Sequence, residues 1–110
     1  MAPAIFHARA LDDIRAFPQK ARKAIGAAIW ELQKGRSLAL PPSRPMPSIA
    51  AGAHELRVRD LQTSIRIMYC LRPSQGVLIL SEFVKKTRST PIPQIKLAQR
   101  RLRELRYEES

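Results

Sequence analysis

Arg57, Arg59, Arg66, Lys85 and Lys86 are the residues whose types and spacing point to one chemistry, the handling of phosphodiester charge. Clustered guanidinium and ammonium groups neutralise several phosphates at once and release their counterions. The same groups stabilise the extra negative charge that builds on a phosphodiester under attack. Arg66 is the most informative of the set. It lies between Ile65 and Ile67 in a stretch with little other charge, where exposure to solvent gives no reason for an arginine. An ion pair with Glu55 or Glu82 accounts for it equally well. Arg57 and Arg59 fit a solvated strand face as readily as a binding face. Lys85 and Lys86 directly follow Phe83 and Val84, and strand-end lysines also serve to discourage edge-to-edge association. His54 precedes a strand and is a candidate general base at neutral pH, although a loop histidine has structural uses too. Cys70 has no histidine near it in sequence, which argues against a nucleophilic thiol. No Ser/His/Asp, P-loop or paired-carboxylate pattern is visible. His7, His54 and Cys70 are the only soft ligands, so no metal site and no cofactor are expected.

Three strand signals would position these residues. In Glu55–Arg59, Leu56 and Val58 alternate with Glu55, Arg57 and Arg59, which reads as a strand with its charged side opposite the core. Ser64–Leu71 puts Ile65, Ile67, Tyr69 and Leu71 on one face and Arg66, Met68 and Cys70 on the other. Asp60–Thr63 between them reads as a hairpin turn. Val77–Val84 is almost continuously apolar, as a central strand covered on both faces would be, and Pro73, Ser74 and Gly76 make the turn before it. A sheet of these strands gathers Arg57, Arg59, Arg66, Lys85 and Lys86 around one surface.

Upstream, residues 3–7 form a short first strand. Asp12 or Asp13 caps a helix through Ile14 and Phe17, which Pro18 interrupts. A second helix runs from about Pro18 to Lys34, with Ile25, Ala28, Ile29 and Leu32 at helical spacing and Gly35 as terminator. Residues 36–53, with Pro41, Pro42, Pro45 and Pro47, read as a loop. A closing helix from about Pro93 to Tyr107 places Ile95, Ala98, Leu102 and Leu105 on one face. Lys96, Arg100, Arg103 and Arg106 hold the rest, a nucleic-acid contact or simply a solvated surface. The order β-α-α-β-β-β-α describes an α+β domain with a small, mostly antiparallel sheet.

The 110 residues favour one domain spanning 1–110. Twenty lysines and arginines against nine acidic residues give a formal charge of +11, which calls for a polyanionic partner: RNA, DNA, an anionic membrane or an acidic protein. The apolar runs are too short for a transmembrane helix, and the N-terminus does not read as a signal peptide. A single cysteine excludes an internal disulfide and fits a reducing cytoplasm.

The succession DDIRAFPQKARKAIGAAIWELQKG, HELRV, SIRIMY, LSEFVKKTRSTP and IKLAQRRL resembles the phage-derived HigB-like toxins of the RelE/ParE superfamily over about residues 11–103. In that group a helical hairpin is followed by E-L-R, R-x-x-Y, F-x-K-K-T-x-x-T-P and a helix carrying A-x-x-R. The resemblance implies a compact α+β toxin neutralised by a cognate helix-turn-helix antitoxin, present as a free monomer or a toxin–antitoxin heterotetramer. RelE-like and HigB-like members cleave mRNA in the ribosomal A site, whereas ParE-like members poison DNA gyrase. By position, Arg66 matches the third-strand arginine that contacts the scissile phosphate. Lys85 and Lys86 match the basic pair ending the last strand, and Arg57 and Arg59 match basic residues of the preceding strand. Thr87–Ile92 holds no histidine or tyrosine to match the family's acid/base. His54, or a lysine whose pKa is lowered by cationic neighbours, is left for the base. The resulting expectation is a cytoplasmic, ribosome-dependent mRNA endoribonuclease with Arg66, Lys85, Lys86 and His54 catalytic and Arg57, Arg59 and Arg100 on RNA. Its partners would be mRNA, the ribosome and the antitoxin, with no membrane. The alternative is a gyrase poison or a non-catalytic binder of antitoxin or nucleic acid.

Overall fold

The structure, a computed structural model, describes residues 1–36, 42–59 and 63–109, the last four by backbone alone. Its elements are β1 (Ala4–Phe6), α1 (Ala8–Arg15), α2 (Gln19–Gln33), β2 (Ser43–Pro45), β3 (Ala53–Arg59), β4 (Ser64–Arg72), β5 (Gly76–Val84) and α3 (Ile92–Glu109). Five strands form one sheet in the order β1-β5-β4-β3-β2. Only β1 and β5 run parallel; the other pairs are antiparallel. This is the expected α+β plan, with two differences at the N-terminal side. The first helix starts at Ala8, capped by the His7 ring, which accepts from the Arg9 amide at 3.2 Å, and not at Asp12 or Asp13. The proline-rich stretch also contains the edge strand β2, where a loop was expected. Pro41, most of the Asp60–Thr63 turn and the Arg106 side chain lie outside the described residues.

The sheet is sandwiched. On one side α1 and α2 bury Ile14, Ala21, Ile25, Ile29 and Leu32 against Leu56, Val58, Ile65, Ile67, Tyr69, Val77 and Ile79. The spacing 21, 25, 29, 32 makes one apolar stripe on α2. On the other side Ala98, Leu102 and Leu105 of α3 meet Met68, Cys70, Leu78 and Leu80. Burial of each large aliphatic side chain contributes about 1.5–3 kcal/mol, so both faces of the central strands are strongly committed. α3 is further tied down by Arg101, whose guanidinium donates to the Leu80 carbonyl at 3.2 Å, and by Glu104, 3.2 Å from His7 Nε2.

Two backbone details fix the strands. Gly76 opens β5 at φ +129°, and a Cβ there would meet the Pro3 carbonyl at 2.3 Å, so only glycine lets β1 approach. Between β4 and β5 the register shifts: Met68 pairs with Ser81 and Tyr69 with Ile79, leaving Leu80 without a partner, a β-bulge.

Candidate nucleic-acid interface

The site is organised around a buried carboxylate. Glu55 lies on β3, on the α3 side of the sheet, with none of its side chain exposed. A carboxylate removed from water requires counter-charges and hydrogen bonds. Arg66 Nε stands 3.3 Å and Lys85 Nζ 3.7 Å from Oε1, while Arg44 Nη2 stands 3.8 Å from Oε2. The Thr90 hydroxyl donates to Oε2 in a short hydrogen bond and accepts from Arg44 Nη2 at 3.2 Å. Strand register explains the convergence. Arg44 pairs with Glu55 across β2–β3, Arg57 with Arg66 across β3–β4, and Arg66 with Phe83 across β4–β5. Lys85, two residues beyond Phe83, returns to the same face.

The result is a strongly cationic surface. Arg57 and Arg66 oppose each other directly, a pairing of like charges that sheets ordinarily avoid. A pocket of about 360 Å³ opens beside them, lined by Pro42, Arg57, Val58, Arg59, Ser64 and Arg66. The Nε atoms of Arg44, Arg57 and Arg66 are buried and have no hydrogen-bond partner among the described residues. Arg66 Nη1 donates to Ser64 Oγ at 2.7 Å. Burial, first of all, lowers the Lys85 ammonium below the usual lysine range. Glu55 opposes the shift, and Arg66, Arg44 and Arg57 add to it. Burial lowers the Arg66 guanidinium as well, against the pull of Glu55 and with the push of Arg57 and Arg44; as an arginine it stays charged. Among the described residues, four cations around one carboxylate leave three positive charges unbalanced. That excess suits an anion with several oxygens.

Residues 12–103 match the family model described as "Phage derived protein Gp49-like (DUF891)". The chain belongs to that family. Its fold is also that of the E. coli toxin RelE. An arginine-to-alanine double mutant of RelE in the free state matches with a TM-score of 0.62 at 18% identity, over 96% of this chain and 99% of that one. No curated protein matches the sequence. The phage-derived, RelE-like fold expected from the order of the motifs is therefore present.

Of the residues singled out from the Gp49-like sequence, the structure brings together Arg57, Arg66 and Lys85, with Arg59 at the pocket rim. Lys86 is exposed, and it is Lys85 that reaches Glu55. His54 is not brought to the cluster. As the neighbour of Glu55 on β3 it points to the opposite face, stacks on Tyr69 with ring centroids 5.2 Å apart, and holds the Gly52 carbonyl at 3.1 Å. Arg100 is exposed on α3 beside Lys96 and Arg103, on a separate shallow groove. Arg44 and Thr90 are the site residues that sequence reasoning did not place there, and of the two ion-pair partners it offered for Arg66, Glu55 and Glu82, the structure shows Glu55. The one signal was Arg66 itself, whose pairing partner is Glu55. Glu82 instead faces Asp13 on the helical-hairpin side.

Proposed function

We propose that this Gp49-like protein is the toxin of a type II toxin–antitoxin pair and a ribosome-dependent mRNA endoribonuclease. One observation carries the reading: Arg57 and Arg66 face each other across β3 and β4, their buried Nε donors unused and a pocket open beside them. Such an arrangement is costly unless a polyanion occupies it. The ribosome would supply the geometry, holding a codon so that a ribose 2′-OH lies in line with its own 3′ phosphate. The 2′ oxygen attacks phosphorus and the bond to the next nucleotide's 5′ oxygen breaks, leaving a 2′,3′-cyclic phosphate and, once that oxygen has taken a proton from water, a 5′-hydroxyl. Arg66 stabilises the charge on the non-bridging oxygens, and Arg57 and Arg59 hold flanking phosphates. Lys85, with its lowered pKa, takes the 2′-OH proton in its neutral form. Lys86 and Arg100, both exposed, contribute general attraction for RNA. A helix-turn-helix antitoxin would neutralise the protein by covering this basic surface.

Primer extension on a reporter mRNA in a translating extract tests the proposal. Cuts inside translated codons, absent with Arg66→Ala and Lys85→Ala, are the expected result. If the folded wild-type protein makes no cuts, the nuclease reading fails. Gyrase–DNA complexes in cells expressing the protein would then assign the basic face to gyrase poisoning, and their absence to binding alone.

A further inference from the structure

We propose that Glu55 is the positioning residue of this cationic site, its two carboxylate oxygens dividing the task. Oε1 holds the reacting cations, Arg66 and Lys85, and Oε2 holds the frame, Arg44 and the Thr90 hydroxyl. The effect on rate rests on the nuclease reading above; the organisation of the cluster does not.

Glu55 gathers four segments of chain. It sits on β3 itself, takes Arg66 from β4, Arg44 from β2, and both Lys85 and Thr90 from the segment linking β5 to α3. Thr90 immediately precedes Pro91, whose carbonyl accepts from the Gln94 and Ile95 amides in the first turn of α3. The hydrogen bond from Thr90 to Glu55 therefore fixes where that segment turns into the helix. Stability alone gives no reason for this carboxylate. Buried ion pairs are often replaced by apolar side chains at no loss, whereas removing one partner is strongly destabilising.

The two oxygens bind differently. Oε2 accepts a hydrogen bond from Thr90. Oε1 lies 3.3 Å from Arg66 Nε and 3.7 Å from Lys85 Nζ, both ion pairs and the second longer than a hydrogen bond. Oε1 thus holds Arg66 Nε and Lys85 Nζ beside each other by charge, while Arg66 Nη1 is taken by Ser64 Oγ. Since both nitrogens lie within 3.7 Å of one oxygen, their separation cannot exceed the sum of the two contacts. That suits two groups serving a single phosphodiester.

Among the described residues, the charged groups facing Lys85 are Glu55, Arg66, Arg44 and Arg57. Glu55 is the one among them that favours the protonated amine. Glu55→Gln preserves size and removes the charge, so Lys85 should titrate at lower pH by about one unit or more. NMR titration of the Lys85 side chain in the free protein reads this without any substrate. The pH profile of ribosomal mRNA cleavage should move down in parallel, with the maximal rate reduced at least tenfold. Glu55→Asp keeps the charge but withdraws it, and should give an intermediate titration. Thr90→Val should leave the Lys85 titration in place while lowering the rate and accelerating amide exchange across residues 86–90. A Lys85 titration unmoved in folded Glu55→Gln overturns the proposal. If that variant does not fold, an unmoved titration in Glu55→Asp does so. A wild-type protein that makes no cuts removes the nuclease reading, but the titration arms still decide the role of Glu55.

Discussion

Arg57 and Arg66 are held face to face at a cost that Glu55 offsets only in part. The two arginines should therefore respond differently to truncation. Arg66→Ala should abolish codon-internal cleavage and leave Glu55 with fewer counter-charges, costing about 1–3 kcal/mol in urea unfolding. Arg57→Ala should weaken binding yet cost almost nothing in stability, because it relieves repulsion as it removes contacts. His54→Ala should cleave at the wild-type rate, since the ring lies across the sheet from the cluster, with a loss of about 0.5–1.5 kcal/mol from the Tyr69 stack. Equal cleavage by Arg66→Ala and wild type, or loss of cleavage in His54→Ala, would contradict this arrangement. Strand alternation in the sequence separates Glu55 and Arg57 from Leu56 and Val58 correctly. It does not say that the charged face is itself roofed, so Glu55 reads as solvent-facing when it is fully buried.

Among the elements, β2 was the hardest to foresee. Its three residues carry a proline, which on an edge strand needs no partner for the missing N–H. What holds β2 is tertiary: pairing with β3 and the buried Ser43–Tyr69 hydroxyl hydrogen bond at 2.5 Å. Tyr69→Phe leaves Ser43 Oγ without its partner, and unfolding should register a loss of about 1–3 kcal/mol. Helix α1 shows the same lesson, since a histidine took the capping role that composition gave to aspartate. The packing of α1 on β5 adds a pH dependence. Burial, with Asp13 close by, pushes the Glu82 carboxyl up to about 8, against the pull of Arg101. A carboxyl raised in the folded state favours folding fully at pH below its ordinary 4.5, and the contribution is lost as pH rises through 8. Urea midpoints measured from pH 5 to pH 9 should fall for the wild type. Glu82→Gln should flatten that dependence and be the more stable protein at pH 9, by about 1–3 kcal/mol.

For the molecule as a whole, the formal charge of +11 governs encounter more than fold. Cations occur on the β3–β4 pocket and on the α3 groove with Lys96, Arg100 and Arg103. Binding to ribosomes should weaken steeply with salt, and each phosphate-contacting arginine replaced by alanine should lower the log–log slope by about one. Cosedimentation across a salt series for wild type, Arg57→Ala and Arg100→Ala measures it. An unchanged slope for Arg57→Ala would remove that residue from the phosphate contacts. The charge and the two-sided sandwich were readable from composition and periodicity. The gathering of Arg66 and Lys85, and Glu55 as one of two partners for Arg66, were readable as well. The roles of Arg44 and Thr90, and the choice of Glu55 over Glu82, were not, because they depend on which residues stand opposite one another.

The unpaired Leu80 has a consequence of its own. Before it, the even-numbered residues Leu78 and Leu80 face α3; after it, the odd-numbered Phe83 and Lys85 do. One extra residue thus inverts the parity of the strand and selects which of two adjacent lysines meets the carboxylate. In an evenly paired strand of the same length the odd and even positions would exchange faces, with Glu82 and Lys86 turned toward α3 and Lys85 away. Which lysine meets Glu55 is therefore set by the length of β5 as much as by its letters: removing Leu80 itself would restore even pairing and keep Lys85 facing α3, whereas deleting one residue between Leu80 and Lys85 would turn Lys86 toward the carboxylate without altering either lysine.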